Sequence, residues 1–520
     1  MDQTNNKLEI NSDNISLSHP TQNTLKPKNK KCNRCNKVRK IVDEINHICN
    51  SCYRIKTITL SGNKVIDDFI TSILNYNVAK VNLEFVPYDK FKDITFIAEG
   101  GFSKIYKATW IDGPATNKWN KEKQEPIRLG KTTVALKELN NSKNIDSKEL
   151  NELKIFYNFI LKYDNYYINK YFGITQNPIT QNFMIITDYY KTGDLTHYIT
   201  KKFFKISWYT KLIKLRGIIR GLRKLHDADI VHQDYHSGNI FIGTKSFFGA
   251  VIGDFGISKS AIESSNDDNE VYGIIPYVSP EVLQGQKYTK ASDIYSFGMI
   301  MWELMTGRKP FWDRNHDTDL IIEIFDGLRP PIVTNAPEGY IELMQKCWHS
   351  DPNKRPNASE ISKEFRYSYG NLNHNNEKKN PTKVINSPDI GPITNNSGAI
   401  YKSRPLSAMI KSANITRSLK RQSIIISAFD KESKRKLSNL VENNNEGITE
   451  VKMNNIIFKF MTNNVYNNAF LDKIVKKLKF CNNKSGVYLT KELELDIDCN
   501  IDSNTPNDND YTTKEIDFDI

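Results

Sequence analysis

The sequence contains no apolar run as long as the ~18 residues that a membrane-spanning helix needs, and its first residues lack the apolar core of a signal peptide. These absences predict an intracellular, cytoplasmic protein without a membrane span, with the nucleus left open. Cysteine is scarce, with seven residues among 520. In a reducing compartment we expect these cysteines to be thiols or metal ligands rather than disulfides.

Hydrophobic residues make up 38% of the chain and aromatic residues 11%, which is enough for a sizeable core in part of it. Asn is abundant at both ends, which favours folded parts flanked by unfolded ones. The net charge of +13 would suit a nucleic-acid or anionic-membrane partner. We attribute it instead to basic tails around a folded part, and no internal repeats are evident.

Four cysteines form two Cys-x-x-Cys pairs near the N-terminus. Cys32 and Cys35 make the first pair, Cys49 and Cys52 the second, and 13 residues separate the pairs. Such pairs can place four thiolates tetrahedrally around Zn²⁺. We expect a structural zinc module with His47 facing solvent; unligated thiols or a redox pair are the alternatives. The surrounding basic residues are interpreted mainly as a solvated face, and nucleic-acid binding there is the less favoured interpretation.

Apolar residues recur at helical spacing after Gly62. They predict a short amphipathic helix that packs on the following domain. These residues are Val65, Ile66, Phe69, Ile70, Ile73 and Leu74.

The most informative stretch runs from Ile230 to Gly256. Two strand-like apolar runs deliver Asp234 and Asp254 to turns, and Asn239 follows the first carboxylate by five residues. Phosphoryl transfer needs such a set, because one carboxylate orients the attacking hydroxyl and accepts its proton while the amide and second carboxylate hold Mg²⁺. The stretch resembles the catalytic loop and Asp-Phe-Gly segment of protein kinases.

Other segments resemble the same family in the same order along the chain. Lys137, in Val-Ala-Leu-Lys, is similar to the lysine that pairs with the α- and β-phosphates. Fifteen residues later, Glu152 is expected to form an ion pair with Lys137, and Glu149 is the fallback. The resemblance further implies that Glu281 pairs with Arg355 and that Asp293 braces the catalytic loop.

The resemblance also implies an ATP site. Its glycine-rich loop departs from the usual pattern, because Ala98 and Ser103 replace the first and third glycines, while Gly100 keeps the central position. Thr187 would be the gatekeeper before the backbone that meets adenine, and Asp194 a ribose contact. The residues implied to contact the nucleotide are Ile97, Ala98, Glu99, Gly100, Gly101, Phe102, Ser103, Ile105, Ala135, Lys137, Thr187, Asp188, Tyr190, Asp194 and Phe241.

The catalytic loop carries one departure with mechanistic weight. Gln233 occupies the place where arginine usually precedes the catalytic Asp. A neutral amide cannot make a charge-assisted pair with phosphate, so we hypothesise that activity does not strongly require phosphorylation of the activation loop. His232 is expected to be a packed structural residue and His236 part of the loop scaffold. The hydroxyls considered for modification are Ser264, Ser265 and Tyr272, and in the tail Ser407, Ser423 and Ser438.

Together these motifs resemble a tyrosine-kinase-like serine/threonine kinase and imply an α+β, bilobal protein kinase fold. The implied function is transfer of the ATP γ-phosphate to protein hydroxyls, with serine/threonine favoured and tyrosine or dual specificity left open. The alternatives are a pseudokinase scaffold that binds partners through the zinc module and tail, and a nucleic-acid-binding regulator. The expected segments are a disordered tail (1–30), the zinc module (31–60), a helical linker (61–90), the kinase domain (91–367) and a low-complexity, mostly disordered tail (368–520).

Overall fold

The computed structural model describes residues 30–75, 82–101, 103–120, 122–123, 125–145, 150–163, 166–243, 249–256, 258–260, 270–332, 336–367, 390–392 and 396–420. Within these residues, none of the helices combines the length and apolar character that crossing a membrane would require. Several predicted features lie outside the described residues: Phe102, Glu149, Ser264, Ser265, Ser423, Ser438 and the tails before residue 30 and after residue 420.

Short strands and one helix hold the N-terminal cysteines. β1 (Lys30–Lys31) pairs with β2 (Val38–Arg39), β3 (Ile41–Asp43) pairs with β4 (Ile48–Cys49), and α1 (Asn50–Lys56) follows directly. Cys32, Cys49 and Cys52 are buried together with Ile48 in a small core of their own. The sulfur atoms, rather than large apolar side chains, therefore occupy the centre of this module.

The predicted amphipathic helix is α2 (Lys64–Asn75). Asn63 caps its first turn, because Asn63 Oδ1 accepts hydrogen bonds from the backbone N–H groups of Val65 and Ile66. The apolar face of α2 joins the main hydrophobic core through Ile66, Ile70, Ile73 and Leu74. This helix therefore packs on the following domain, as expected.

A six-stranded sheet and one helix form the N-lobe. The bounds are β5 (Glu84–Phe85), β6 (Phe91–Glu99), β7 (Ser103–Trp110), β8 (Ala115–Asn120), β9 (Glu125–Arg128), β10 (Thr132–Leu139), β11 (Tyr171–Gln176), β12 (Phe183–Asp188) and α3 (Asn151–Lys162). The strand order is β5-β11-β12-β10-β7-β6, antiparallel except for β5 with β11. Side chains alternate along β10, so Val134 and Leu136 are buried on one face while Ala135 and Lys137 point to the other.

Residues 112–131 lie between β7 and β10, and within them β8 and β9 form a hairpin that contacts the cysteine module. Trp119 on β8 meets Tyr53 of α1 edge to face, with ring centroids 4.7 Å apart. Arg128 on β9 reaches back to Glu84 of β5, with Nη1 3.1 Å from Oε1. The hairpin therefore joins the cysteine module to the sheet.

Helices dominate the C-lobe. Its elements are α4 (Leu195–Lys202), α5 (Trp208–Asp227), β13 (Ile230–Val231), β14 (Ile240–Ile242), β15 (Ala250–Ile252), β16 (Lys259–Ser260), β17 (Tyr272–Gly273), α6 (Pro280–Leu283), α7 (Lys290–Thr306), α8 (Thr318–Phe325), α9 (Tyr340–Cys347) and α10 (Ala358–Tyr367). Every residue of α7 from Ser292 to Thr306 is buried, as befits a central helix. The predicted bilobal α+β architecture is confirmed.

Residues 396–420 form ordered structure within the tail (368–520) that the sequence predicts to be mostly disordered. β18 (Arg404–Pro405) pairs antiparallel with β17, and a helix over 407–420, α11, follows. Leu406, Ile410 and Ala413 are buried in a cluster with residues of α6 and α8. We call residues 396–420 the C-terminal segment. Its helix was not anticipated because its surroundings in sequence are polar and basic.

Candidate active site

Lys137 of β10 lies between two carboxylates. Its Nζ donates to Glu152 Oε2 at 2.9 Å and to Asp254 Oδ1 at 2.5 Å. Burial opposes the charge on Lys137, but the charges of Asp254 and Glu152 raise its pKa above the ordinary value. The tyrosine hydroxyl of Tyr171 donates to Glu152 Oε1 at 2.6 Å and fixes that carboxylate. The structure thus forms the expected pair with Glu152, and Lys137 stays positively charged.

Asp234, Asn239 and Asp254 lie on the turns before β14 and after β15. Asn239 Nδ2 donates to the backbone carbonyl of Asp234 at 2.9 Å, which leaves its Oδ1 to act as a metal ligand. Asp254 has a φ of 61°, in the left-handed region that non-glycine residues rarely adopt. This backbone conformation brings its carboxylate to Lys137. The two sequence-predicted magnesium ligands and the predicted base are therefore gathered at one end of the β14–β15 hairpin.

His236 contacts the proposed base directly. Its Nδ1 accepts a hydrogen bond from the Gly238 N–H at 3.1 Å, which directs the protonated Nε2 toward Asp234 Oδ2, 3.5 Å away. Burial opposes ionisation of Asp234, but His236 is the main cause that brings the pKa of this carboxyl below its usual range. His236 is therefore more than the loop scaffold that the sequence predicted.

Asp293 of α7 braces the catalytic loop, as expected. Its carboxylate accepts hydrogen bonds from the backbone N–H groups of His232 at 2.9 Å and Gln233 at 3.1 Å. It also contacts the ring of His226, whose Nε2 lies 2.9 Å from Asp293 Oδ2. The contribution of His226 was not predicted, because its partner is distant in sequence.

His232 is the packed structural residue that the sequence predicted. It is fully buried, its Nε2 lies 3.1 Å from the Gly253 carbonyl oxygen, and burial lowers its pKa. Its ring lies 5.5 Å from that of Phe255. The ring centroid of Phe255 lies 6.4 Å from that of Tyr171, and the Tyr171 hydroxyl donates a hydrogen bond to Glu152. Buried aromatic contacts thus link the catalytic loop to α3.

Two buried carboxylates hold the C-lobe around the loop. Glu281 and Arg355 form the expected pair, a bidentate contact with both N–O distances 2.7 Å. Glu303 on α7 was missed: its oxygens accept from Ser237 Oγ at 2.8 Å and from the Tyr277 hydroxyl at 2.6 Å. Burial raises the pKa of Glu303 to about 7. A lone carboxylate within the apolar run of α7 was the available signal.

The expected adenine-binding residues lie where β10 and β12 meet. Ala135 and Thr187 are register partners. The Asp188 N–H donates to the Lys170 carbonyl at 3.1 Å. The contact with adenine that the resemblance implies for the Asp188 backbone would therefore be made by its carbonyl oxygen. Tyr190 stacks on Phe241, with ring centroids 5.2 Å apart.

Asp194 has a structural role in addition to any ribose contact. Its carboxylate caps α4 by accepting from the His197 backbone N–H at 2.8 Å, and it contacts His197 Nδ1 at 2.8 Å. Both of its oxygens are therefore engaged by His197, and an Asp before a helix was the available signal for this cap.

The glycine-rich loop joins β6 to β7. Ala98 pairs with Ile105 and Glu99 with Lys104, while Ile97 on β6 is exposed. The Gly100 N–H donates to the Ser103 carbonyl at 2.7 Å, and a Cβ at Gly100 would meet no atom outside Ser103. A Cβ at Gly101 would instead overlap the carbonyl oxygen of Ser403. A side chain at Gly101 would therefore collide with Ser403, and the central position of Gly100 over the phosphates stays a prediction.

The four N-terminal cysteines form a second candidate site. Their sulfur atoms all lie within 4.8 Å of one another, and those of Cys35 and Cys49 are 3.8 Å apart. Zn–S bonds of about 2.3 Å in a tetrahedron imply sulfur separations of about 3.8 Å. Burial of Cys32 opposes ionisation, but backbone N–H groups, led by that of Cys49, lower its pKa to about 6. The donor set fits Zn²⁺, and His47 is exposed as expected.

Comparisons with known proteins agree with this geometry. Residues 92–365 match the model of the family described as protein tyrosine and serine/threonine kinase. A protein of Acanthamoeba polyphaga mimivirus named as a serine/threonine-protein kinase/receptor is 34% identical over 182 residues, which are 35% of this chain and 11% of the relative. A Dictyostelium discoideum protein named as a serine/threonine-protein kinase is 27% identical over 277 residues, 51% of this chain and 14% of the relative.

Ephrin type-A receptor 7 of Gallus gallus is 35% identical over 185 residues, 34% of this chain and 18% of the receptor. The matched regions thus span less than a fifth of the length of each of these three relatives. The family match itself covers more than half of this chain and includes Lys137, Glu152, Asp234, Asn239 and Asp254. The chain therefore belongs to the protein tyrosine and serine/threonine kinase family.

Proposed function

We propose that this protein transfers the γ-phosphate of ATP to hydroxyl groups of protein substrates, with serine and threonine as the favoured acceptors. The observation that carries the proposal is Lys137, which bridges Glu152 at 2.9 Å and Asp254 at 2.5 Å. Family membership implies the use of ATP and Mg²⁺. The names of the mimivirus and Dictyostelium relatives support the choice of serine and threonine.

Each residue then has a distinct role. Lys137, held by Glu152, would bind the α- and β-phosphates, while Asn239 and Asp254 would hold Mg²⁺. The metal supplies charge neutralisation on the phosphates when it is bound. Asp234, kept ionised mainly by His236, orients the attacking hydroxyl and accepts its proton.

Transfer of radiolabelled phosphate from ATP to a generic protein substrate tests the proposal. We expect Asp234→Asn to lose at least about a hundredfold in rate, because the acceptor for the hydroxyl proton is removed. Asp229→Asn is the matched control, since Asp229 is a nearby residue in a solvent-accessible ion pair with Lys290. Equal transfer by wild type and Asp234→Asn would refute the enzymatic role and favour the alternative of a pseudokinase scaffold.

The proposal includes a structural Zn²⁺ held by Cys32, Cys35, Cys49 and Cys52. Four sulfur ligands complete a tetrahedral shell, so this metal would stabilise the module rather than take part in catalysis. Thiolate ligands require reduced cysteines, which supports the proposed intracellular, cytoplasmic location. Contacts with protein partners through this module or the tail belong to the same proposal.

A further inference from the structure

The C-terminal segment (residues 396–420) lies across the C-lobe next to the catalytic loop. The His316 N–H donates to the Gly398 carbonyl at 2.8 Å, and its ring Nδ1 lies 2.8 Å from the Ile400 carbonyl oxygen. The Tyr401 hydroxyl donates to the Pro310 carbonyl at 2.9 Å. These bonds fix the path of the chain before it reaches Ser403.

After Ser403 the C-terminal segment adds a strand beside β17, which belongs to the activation segment, residues 254–281. Arg404 and Pro405 pair antiparallel with Gly273 and Tyr272. Hydrogen bonds extend the pairing, because the Leu406 N–H donates to the Val271 carbonyl at 2.7 Å and the Val271 N–H donates to Ser407 Oγ at 2.8 Å. Strand addition of this kind is a general mode of peptide recognition, in which backbone bonds give affinity and side-chain pockets give specificity.

An apolar anchor and two ion pairs hold the rest of the segment. Leu406 is fully buried, and with Ile410 and Ala413 it packs in a cluster that includes Val282 and Leu320. At the far end of α11, Arg417 pairs with Asp326 at 2.6 Å and Lys420 approaches Asp319 at 3.9 Å. The strand pairing, the apolar anchor and the ion pairs therefore fix the register of the C-terminal segment on the C-lobe.

This register delivers Ser403 to the catalytic centre. Its carbonyl oxygen lies against Gly101 of the glycine-rich loop, where a Cβ could not fit. Its Oγ is shielded from solvent and makes no hydrogen bond of standard geometry within the described residues. The strand pairing places Ser403 next to the Asp234 carboxylate, because Arg404 is the register partner of Gly273, where a Cβ would lie 4.0 Å from Asp234 Oδ1. In agreement, burial opposes ionisation of Asp234, while His236 and then Ser403 lower the pKa of this carboxyl.

Other hydroxyls of the segment are placed differently. Ser407 Oγ already accepts the Val271 N–H, and Ser397 and Ser412 are exposed. Ser403 thus has what a phosphate acceptor requires: a hydroxyl at the proposed base, under the glycine-rich loop, on a chain paired with the activation segment.

We propose that Ser403 is phosphorylated by the active site of its own chain. This inference rests on the proposed kinase function. Ser403 Oγ attacks the γ-phosphorus of ATP, the Oγ–P bond forms, and the bond from that phosphorus to the bridging oxygen of ADP breaks. Asp234 accepts the hydroxyl proton and releases it to solvent, and ADP leaves with the electron pair of the broken bond.

Phosphorylation of Ser403 would change the charge at the active site. A phosphoserine adds a charge of roughly −1.5 to −2, and at residue 403 it would lie beside the Asp234 carboxylate. Repulsion between like charges then favours release of the segment. Before the reaction the segment covers the edge of β17, so modification of Ser403 would open this edge to other protein substrates.

The test starts from full-length protein freed of phosphate with a phosphatase that is then removed. After addition of Mg²⁺ and ATP, peptide mapping by mass spectrometry follows Ser403 and a generic protein substrate in the same reaction. We expect Ser403 to be modified with a first-order rate that does not change when the protein is diluted, because the reaction is intramolecular. Ser397→Ala, an exposed serine of the same segment, is the matched control and should retain the Ser403 phosphate.

Two variants sharpen the result. Ser403→Ala should lose this phosphate and phosphorylate the generic substrate more slowly than wild type, because the segment is then not released. Leu406→Asp places a charge in the apolar anchor, so it should slow modification of Ser403 by roughly tenfold or more and speed transfer to the generic substrate.

The outcomes separate this inference from the proposed function. Transfer to the generic substrate with Ser403 unmodified overturns the inference and leaves the kinase function standing. A Ser403 rate that rises in proportion to protein concentration shows transfer between molecules and also overturns it. Transfer to neither acceptor overturns both.

Discussion

At the scale of single residues, the contact between His236 and Asp234 has the clearest chemical effect. The side chain directed at the proposed base is an imidazole, 3.5 Å from its carboxylate. The pKa of Asp234 lies below its usual range because His236 outweighs the opposing effect of burial. A base with a lowered pKa remains ionised, and hence competent, to a lower pH.

Removal of His236 should therefore shift the pH profile. Activity is lost as the pH falls through the pKa of Asp234, so His236→Ala, which raises that pKa, should move the acid limb of kcat/KM to higher pH. His236→Lys keeps a cationic donor and should move it less. The measurement is kcat/KM against pH, with His197→Ala as the control, because His197 bonds Asp194 rather than Asp234. An acid limb that is identical in wild type and His236→Ala would contradict the assigned role.

Gln233 supports a prediction about regulation. Its backbone N–H is fixed by Asp293 and its φ is 70°, but its neutral side chain cannot make a charge-assisted pair with a phosphate. We expect Ser264→Ala/Ser265→Ala to keep activity toward a protein substrate within about twofold of wild type, since no strong phosphate contact is lost. Loss of activity in this variant would refute the hypothesis if dephosphorylated wild type were also inactive and recovered when its activation loop was phosphorylated. Both serines lie outside the described residues.

At the scale of elements, the cysteine module and the β8–β9 hairpin depend on each other. The Tyr53–Trp119 contact joins them, and α2 continues from the module into the main core. The sequence predicted the four ligands and the helix, because short-range spacing determines both. It did not predict that the hairpin within residues 112–131 would pack against the module, since that contact joins residues far apart in the chain.

Metal removal tests this arrangement. We expect about one Zn²⁺ per chain by elemental analysis, lost in Cys32→Ser and Cys49→Ser because a tetrahedral site needs all four sulfurs. A strong chelator should lower the Tm of wild type. Cys347→Ser is the control for metal content, since Cys347 is buried in the C-lobe away from the module. Protein that contains no zinc and whose Tm the chelator leaves unchanged would exclude the proposed site.

At the scale of the whole molecule, Glu303 couples folding to pH. It joins the catalytic loop through Ser237 and the segment before α6 through Tyr277. Burial raises its pKa from 4.5 to about 7. Because the folded-state pKa is the higher one, the favourable contribution of the protonated form is complete below pH 4.5 and is lost as the pH rises toward 7.

Glu303→Gln should remove this part of the pH dependence. A shift of this size corresponds to up to roughly 3 kcal/mol of unfolding free energy. Wild type should therefore lose more stability than Glu303→Gln between about pH 5 and about pH 8 in denaturant titrations. Glu342→Gln, at an exposed position of α9, is the control. If the unfolding free energies of wild type and Glu303→Gln changed equally with pH, the Glu303 carboxyl would have the same pKa in the folded and unfolded states, which contradicts the prediction.

Much of the catalytic site was predictable because its motifs are local. Asp234 and Asn239 share one turn, and Lys137 and Glu152 lie on consecutive elements, so their spacing limits where the side chains can meet. The capping role of Asp194 is a local contact across three residues, for which an Asp before a helix was the available signal. His226 and Glu303 could not be predicted in the same way. Each depends on which buried polar group comes to lie opposite it once α5, α7 and the catalytic loop have packed.

The sequence by itself determined the kinase family, the positions of the catalytic residues and the grouping of four cysteines, because residue type and short spacing specify that chemistry. Only the tertiary structure decided what lies opposite the catalytic loop. Ser403 and Asp234 are 169 positions apart by number, and no periodicity of the polar tail relates them. They come together because Leu406 and its neighbours on α11 bury apolar surface against α6 and α8, and this burial sets the register that carries Ser403 to Asp234.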